Sequence, residues 1–502
     1  MELDSLVCYR AVQARDARYD GRFFTCVKTT GIYCRPICPA RPPKLENCQF
    51  VATAAAAQEA SFRPCLRCRP ENSPSIDAWR GTEATVSRAL RLIEEGALDQ
   101  NDVSSLAERL GVGERHLRRL FSQHVGAAPV TVAQTRRLLL AKQLIHQTAL
   151  PMIDVALASG FGSVRRFNEA FQRLYGKPPS ALRSRAPGGP SSPELSLLIP
   201  YRPPYDWGAM LGFLQRRAIA GLEAVSGDTY RRVISLAGPT GQWSSGTLSV
   251  EHAPDVCSLR VTVRLPRLDL LPAVLTRVRR QFDTAADPAA IHEVLSADPL
   301  LRPLVESRPG LRVPGTWDPF EAAVRAILGQ QVTVTAGMRL VQQVVHWIGD
   351  NVAESTGSPE LKYAFPRAEQ FAPDKLLSLG VPRPRQRALL NLAAAVQANP
   401  QWLASQQDLP HTIDHLSQLP GIGEWTAQYI ALRGLGESDA FLAGDVGLQN
   451  RLTVAGQRPT AAEMRARSNA WRPWRAYATI HLWTAEPASV MNTSIATSRE
   501  TA

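Results

Sequence analysis

The 502-residue chain contains no uninterrupted apolar stretch approaching the roughly 18 residues that a membrane-crossing helix needs. Its opening, MELDSLVCYRAV, lacks the basic-then-apolar plan of a secretory signal. Both absences point to a soluble, cytoplasmic protein with no membrane partner. Acidic residues are the minority, 45 against 57 Lys and Arg, giving a formal charge of +12 that favours a polyanionic partner. Cysteine is nearly absent beyond residue 68. Of the eight, Cys8, Cys26, Cys34, Cys38, Cys48, Cys65 and Cys68 crowd the start and only Cys257 follows. In a chain without an export signal, such crowding points to metal or reactive thiols rather than disulfides. An apolar content of 44% excludes a wholly disordered chain, and at about 100–200 residues per domain the length predicts three or four domains.

Charge and composition divide the chain. Residues 1–190 carry 27 basic and 17 acidic side chains, while residues 191–502 carry 30 and 28, so the front is the stronger electrostatic candidate for nucleic acid. Residues 186–193, APGGPSSP, read as a linker, and a softer break falls at Arg69–Pro74. Beyond the linker, Leu248–His252 and Leu259–Leu265 alternate as half-buried strands do, and from about Pro319 the pattern becomes helical, with Phe320, Val324, Ile327 and Leu328 on one face. The fold expected is multidomain and mainly α: a small α+β cysteine module, an all-α module, a mixed α/β module and a second all-α module.

Cys34-Arg-Pro-Ile-Cys38 and Cys65-Leu-Arg-Cys68 are short-spaced thiol pairs with 26 residues between them. Each pair spans one edge of a tetrahedron, and tetrahedral thiolate coordination selects Zn²⁺. On spacing alone a structural knuckle and a reactive site both remain open. The surrounding words, Thr29-Thr-Gly-Ile-Tyr-Cys-Arg-Pro36 and Phe62-Arg-Pro-Cys-Leu-Arg-Cys68, resemble the N-terminal domain of the bacterial Ada-type adaptive-response proteins. That resemblance implies one zinc held by Cys34, Cys38, Cys65 and Cys68, with Cys34 accepting a methyl group from a DNA phosphotriester. A four-thiolate zinc cluster carries a net charge of −2 and keeps its sulfur nucleophilic at neutral pH; alkylation leaves −1 and reduces repulsion from DNA in a module lined by Arg35, Arg41, Arg63 and Arg67. Cys8, Cys26, Cys48 and Cys257 read as small buried residues.

Ser105-Leu-Ala-Glu108 reads as a capping box, Gly111 as a break, and Glu114–Ser122 as a second helix with Leu117, Leu120 and Phe121 inward. The plan returns as Ile153–Ser159, a turn at Gly160, and Ser163–Leu174 with Val164, Phe167 and Phe171 on one face. Two such units, with Val155-Ala-Leu-Ala-Ser-Gly-Phe-Gly-Ser163, Phe167-Asn-Glu-Ala-Phe171 and Gly176-Lys-Pro-Pro-Ser180 in the second, resemble the AraC-family DNA-binding domain. Arg115, His116, Arg118, Arg119, Arg165, Arg166 and Asn168 are the candidates for bases or phosphates in successive major grooves, with a merely solvated face as the alternative for each.

Leu419-Pro-Gly-Ile-Gly-Glu-Trp-Thr-Ala427 reads as a helix, a glycine hairpin and a helix. Its glycines let backbone approach a phosphate and offer free N–H groups. Such elements also occur as passive DNA clamps. Asp445 follows Gly423 by 22 residues, a pairing that resembles the helix-hairpin-helix base-excision glycosylases. Pro204-Tyr-Asp-Trp207, Met210-Leu-Gly-Phe-Leu214, Arg308-Pro-Gly-Leu-Arg-Val-Pro-Gly315, Val324-Arg-Ala-Ile-Leu-Gly-Gln330, Trp471-Arg-Pro-Trp474 and His481-Leu-Trp483 narrow it to the AlkA-type alkylpurine glycosylases, which excise 3-methyladenine and related lesions. The resemblance implies Asp445 as the catalytic carboxylate, although an Asp ahead of Val446 is equally a good helix N-cap. It implies Trp425, Tyr429 and Trp483 as the lining of a pocket for a flipped base, where an i,i+4 aromatic pair is otherwise core. Gly421, Gly423 and Thr426 are the expected phosphate contacts, and Gln331 stands where relatives place an apolar wedge. Trp425 occupies the position at which bifunctional members carry a Schiff-base lysine, so no lyase activity is expected. Gly444 replaces an expected second acid beside Asp445. No cysteine follows Cys257, so repair of O6-methylguanine is not expected.

Taken together, the resemblances imply a zinc methyl-acceptor domain over residues 1–74, a double helix-turn-helix domain over 82–185, the linker 186–193, a mixed α/β domain over 195–300, a helix-hairpin-helix glycosylase domain over 301–486 and a tail over 487–502. Expected partners are alkylated duplex DNA, promoter DNA and RNA polymerase, in the bacterial cytoplasm at the nucleoid. The hairpin backbone leaves room for a monovalent cation. The rival reading is a zinc-dependent regulator whose C-terminal half scans lesions without catalysis.

Overall fold

The computed structural model describes residues 3–74, 84–99, 101–183, 194–238, 241–406, 408–453 and 457–485. The expected linker 186–193 and tail 487–502 lie outside them. The architecture is multidomain and mainly α, with two sheets among the described residues. The chain forms two compact units, one of Met1–Arg202, Leu236–Ser244 and Val250–Thr276, the other of Pro203–Ser235, Ser245–Ser249 and Arg277–Ala502.

The first unit begins with a four-stranded sheet ordered β3-β1-β2-β4, formed by Phe24–Val27 (β1), Ile32–Cys34 (β2), Cys48–Val51 (β3) and Arg63–Pro64 (β4). β1 and β2 form an antiparallel hairpin whose turn uses Gly31 at φ +62°. β4 runs parallel to β2 with Tyr33 opposite Pro64, and the Cys65 amide donates to the Tyr33 carbonyl at 3.0 Å. This register carries the two thiol pairs, remote in sequence, to one end of the sheet.

The helix Val103–Leu110 ends at Gly111 (φ +69°) and is followed by Glu114–His124, with Leu117, Leu120 and Phe121 buried as the apolar spacing predicts. The expected capping box is displaced by one residue triplet. Asp102 is the N-cap, because its carboxylate accepts both the Ser105 amide (2.9 Å) and the Ser105 hydroxyl (2.8 Å), and a carboxylate outcompetes a hydroxyl for the first turn. The second helix pair runs Met152–Ala158, then Val164–Tyr175 with Ser163 as N-cap. Phe167 and Phe171 are buried, whereas Val164, expected beside them, is 36% exposed because it starts the helix on its outer side.

Between the two helix pairs runs the helix Pro129–Gln147, which buries polar Thr135, Lys142 and Gln143 along with its apolar face. Those polar groups tie it to the cysteine module. The Thr135 hydroxyl donates to Gln58 Oε1 (3.0 Å), Gln58 Nε2 donates to the Tyr33 hydroxyl (3.1 Å), and Lys142 Nζ meets Glu71 Oε2 at 2.7 Å with both side chains essentially inaccessible.

A five-stranded sheet is ordered β5-β9-β8-β7-β6, from Glu194–Pro200 (β5), Glu223–Ser226 (β6), Thr229–Ala237 (β7), Trp243–Ala253 (β8) and Ser258–Arg264 (β9). In β9 the expected alternation holds, with Leu259, Val261 and Val263 buried and Arg260 exposed. In the second unit the helix Pro319–Leu328, capped by Asp318, is buried on every side. Its two charges, Glu321 and Arg325, join Glu223 and Arg232 in an interior network: Arg232–Glu321 at 2.9 Å, Arg325–Glu321 at 2.7 Å and Arg325–Glu223 at 2.8 Å.

Burying one partner of an ion pair without the other is costly, so Glu71→Gln, which strands the Lys142 ammonium, is expected to destabilise the first unit by about 3–5 kcal/mol. Denaturant unfolding followed by circular dichroism checks this; an unchanged midpoint would refute it.

Candidate functional site

The Sγ atoms of Cys34, Cys38, Cys65 and Cys68 all lie within 4.8 Å of one another, with Cys34 half-exposed and the other three buried. A tetrahedral Zn²⁺ with bonds of about 2.3 Å places its sulfurs about 3.8 Å apart, and an all-sulfur donor set is the one this ion prefers, so the residues fit a Cys₄ zinc site. Backbone amides support the cluster: Arg35 N–H points at Cys68 Sγ and Arg67 N–H at Cys65 Sγ, each at 3.4 Å. Thiols this close share protons. Hydrogen bonds to Cys38, Cys65 and Cys68 push the Cys34 thiol upward, and the hydrogen bond from Cys34 draws Cys65 strongly downward. Replacement of those protons by a divalent cation is the chemistry for which such a cluster is built.

The arginines expected around this site are not equivalent. Arg41 and Arg67 are exposed and Arg63 is half-buried. Arg35 is bound to Asp20 through both ends of its guanidinium and to the Cys68 carbonyl at 3.1 Å, so it braces the module instead of facing solvent. Of the remaining cysteines, Cys8 and Cys26 are buried, and desolvation pushes their thiols up to about 11 and about 12; Cys48 and Cys257 are only half-buried, contrary to expectation.

On the helix Glu114–His124, Arg115, Arg118 and Arg119 are exposed and His116 is half-buried; on Val164–Tyr175, Arg165, Arg166 and Asn168 are exposed. Arg118 is paired with Glu114 (2.6 Å), Arg165 with Glu169 (2.8 Å), and Arg119 with His116 (3.1 Å). These are surface bonds of small worth that a phosphate can displace.

In the second unit, Gly421 adopts φ +99° and lies so near the helix Arg383–Ala398 that a Cβ would come within 2.4 Å of the Ala388 methyl. Only glycine satisfies both conditions. Gly423 is the N-cap of Glu424–Ile430 and is open to solvent, as an anion site at a helix start requires. Thr426 is buried, and its hydroxyl accepts Gln330 Nε2 at 2.9 Å, so it lies beneath the hairpin and not on its surface.

Asp445 sits where the hairpin helix faces the last described helix, Arg475–Thr484. Its Oδ2 accepts Trp425 Nε1 (3.0 Å), while its Oδ1 accepts Trp483 Nε1 (3.1 Å) and the Leu448 amide (3.0 Å). It is therefore both the N-cap of Val446–Arg451 and the centre of an indole clamp, half-buried and open on one side. The rings of Trp425 and Tyr429 stack on each other, with centroids 5.4 Å apart and 21° between planes, which leaves no room for a third ring between them. The Tyr429 hydroxyl accepts Arg433 Nη1 at 3.1 Å. Arg433, buried in the π-turn Ala431–Leu435, also binds the carbonyls of Pro314 and Gly315, and desolvation holds it below the usual arginine range. Gln331 is exposed and adopts φ +53° in the turn after Pro319–Leu328. Gln330 and Arg433 were not singled out by sequence reasoning. Adjacency to Gln331 was the available signal for the first, and nothing local marks the second.

The family models described as the metal binding domain of Ada, a helix-turn-helix domain and the AlkA N-terminal domain match residues 7–71, 106–185 and 196–318. The chain is 42% identical over 482 residues, 95% of each chain, to the probable bifunctional transcriptional activator/DNA repair enzyme AlkA of Mycobacterium tuberculosis. It is 33% identical to DNA-3-methyladenine glycosylase 2 of Escherichia coli over 57% of this chain and 96% of that protein. Its front is 38% identical to the bifunctional transcriptional activator/DNA repair enzyme Ada of the same organism, over 26% of this chain and 35% of that one. Joining an Ada-type zinc and helix-turn-helix front to an AlkA-type repair half, the chain belongs to the family of bifunctional transcriptional activator/DNA repair enzymes of the AlkA kind.

Proposed function

We propose that the chain answers DNA alkylation with two centres: a monofunctional glycosylase that releases 3-methyladenine-type purines, and a zinc-thiolate methyl acceptor that converts a DNA phosphotriester signal into transcriptional activation. The domain division given above is part of this reading, as are duplex DNA and RNA polymerase as partners in the bacterial cytoplasm. Among the described residues no helix is long and apolar enough to cross a membrane.

The observation that carries the enzymatic half is the Asp445 carboxylate, fixed by two indole N–H groups and a backbone N–H beside the glycine hairpin. Hairpin amides at Gly421 and Gly423 hold the phosphate near the lesion, Gln331 fills the space vacated by the flipped nucleotide, and the base lies against the Trp425 and Trp483 side of the cleft, since Tyr429 covers the other face of Trp425. The N-glycosidic bond breaks with its electron pair leaving on the base, which an alkylated purine accepts readily. Asp445 stabilises the oxocarbenium-like sugar and orients the water that adds to the anomeric carbon and loses its proton. An indole at position 425 cannot form a Schiff base, which supports hydrolysis without strand cleavage. A monovalent cation on the hairpin carbonyls would add to the phosphate grip.

Cys34, Cys38, Cys65 and Cys68 would hold Zn²⁺, which when bound would keep their sulfurs deprotonated at neutral pH. The half-exposed Cys34 sulfur attacks the methyl carbon, the carbon–oxygen bond breaks, and the phosphodiester anion leaves. The loss of one negative charge then favours contact with DNA through Arg41, Arg67 and the reading helices.

Asp445→Asn retains a good N-cap, so the fold should persist. Base release from methylated duplex is expected to fall by at least about 10²-fold with duplex affinity unchanged; release at the wild-type rate would refute the role. In the front half, incubation of the zinc-loaded chain with methylated DNA should add one methyl group to the Cys34 peptide by mass spectrometry. Cys34→Ala should abolish that adduct while base release continues, and a wild-type peptide that stays unmodified with zinc bound counts against the acceptor.

A further inference from the structure

We propose that Gln330 is a positioning residue that ties the DNA-inserting turn to the phosphate-gripping hairpin, so that grip and base unstacking act as one event; this rests on the glycosylase reading above. The turn between Pro319–Leu328 and Val334–Ile348 exposes Gln331, Val332 and Val334. Val332 and Val334 offer this tip the apolar surface that Gln331 itself lacks. A non-glycine residue at φ +53° is strained, and such strain persists only where neighbouring bonds over-determine it.

Those bonds come from position 330. Its side-chain amide donates to the Gly421 carbonyl and to the Thr426 hydroxyl, both at 2.9 Å, bridging the two sides of the hairpin 91 and 96 residues away. Its backbone carbonyl accepts from Arg385 on the helix Arg383–Ala398. That same helix supports the hairpin, with Asn391 donating to the Pro420 carbonyl at 3.4 Å and Ala388 seated against Gly421. Hairpin, turn and helix are thus mutually locked. The tip is held at a fixed offset from the phosphate-gripping hairpin before DNA arrives, which places it for the unstacking step. Loss of the amide frees the tip while the hairpin keeps Gly423 and the free N–H groups that hold phosphate.

The test compares full-length wild type with Gln330→Ala and Arg385→Ala, each in the non-cleaving Asp445→Asn background for binding and in the active background for excision. Duplexes carry 2-aminopurine beside the lesion. Gln330→Ala should retain duplex affinity and melting temperature, lose most of the 2-aminopurine rise, and excise the lesion at least about tenfold more slowly from a fully paired duplex than wild type. Excision from an unpaired, already unstacked site should stay near the wild-type rate. Arg385→Ala should show the same pattern more weakly. An undiminished fluorescence rise in Gln330→Ala overturns the proposal, as does an equal slowing on paired and unpaired sites. Base release by wild type from neither substrate instead overturns the glycosylase reading, while the fluorescence arm still decides whether Gln330 governs unstacking.

Discussion

A carboxylate that accepts three N–H bonds, two of them from indoles on different helices, is the constraint around which the catalytic half is arranged. Trp425 comes from the hairpin helix, Trp483 from the last described helix, and the Leu448 amide from the helix that Asp445 itself opens. Three elements must therefore dock in register before the carboxylate is held. On the proposed reading, capping and catalysis are not competing explanations of this residue. The oxygen that satisfies the first turn is fixed in direction by doing so, which is the kind of preorganisation that electrostatic stabilisation of a developing cation requires.

Buried charge serves a related purpose elsewhere. Glu223, Arg232, Glu321 and Arg325 form a closed network in the second unit, and Lys142–Glu71 is its smaller counterpart in the first. Such pairs gain little stability over well-packed apolar groups, but they penalise every misaligned arrangement heavily. Both stand behind elements to which the proposed function assigns a role. Glu321 and Arg325 lie on the helix that delivers the Gln330–Gln331 turn, and Lys142 lies on the helix whose Thr135 reaches Tyr33, next to Cys34, through Gln58. Fidelity of position is the gain.

Much of this was legible in the sequence, and the misses share a cause. The four cysteines, the glycine hairpin and the two helix-turn-helix units are local patterns, and local physics determines them: thiol spacing, positive φ at Gly421, apolar period in the helices. What was not legible depends on partners distant in the chain. Arg35 reads as a phosphate contact until Asp20 claims it, Thr426 as a surface hydroxyl until Gln330 covers it, and Ser105 as a cap until the carboxylate of Asp102 takes the first turn. The i,i+4 spacing of Trp425 and Tyr429 correctly indicated a shared face. It could not indicate that the two rings occupy each other's inner face, which is why the proposed base site lies on the side shared with Trp483.

The two departures that the resemblance marks, Gly444 and Gln331, sit in this same geometry. Gly444 has a negative φ and no atom within 4 Å of where its Cβ would be, so neither conformation nor crowding demands glycine there. Its consequence is electrostatic: the negative charge on this turn rests on Asp445 alone, already shared among three donors, so no neighbouring carboxylate competes for the indole protons. On the proposed reading, a polar side chain at position 331 on a strained turn gives up hydrophobic stacking but keeps hydrogen-bonding capacity toward the base left unpaired by flipping. Val332 and Val334 are exposed beside it, so on that reading the tip divides labour between apolar contact and polar replacement. Such a division works only if the turn cannot swing, which is why its anchorage at Gln330 matters more than the identity of the residue at its point.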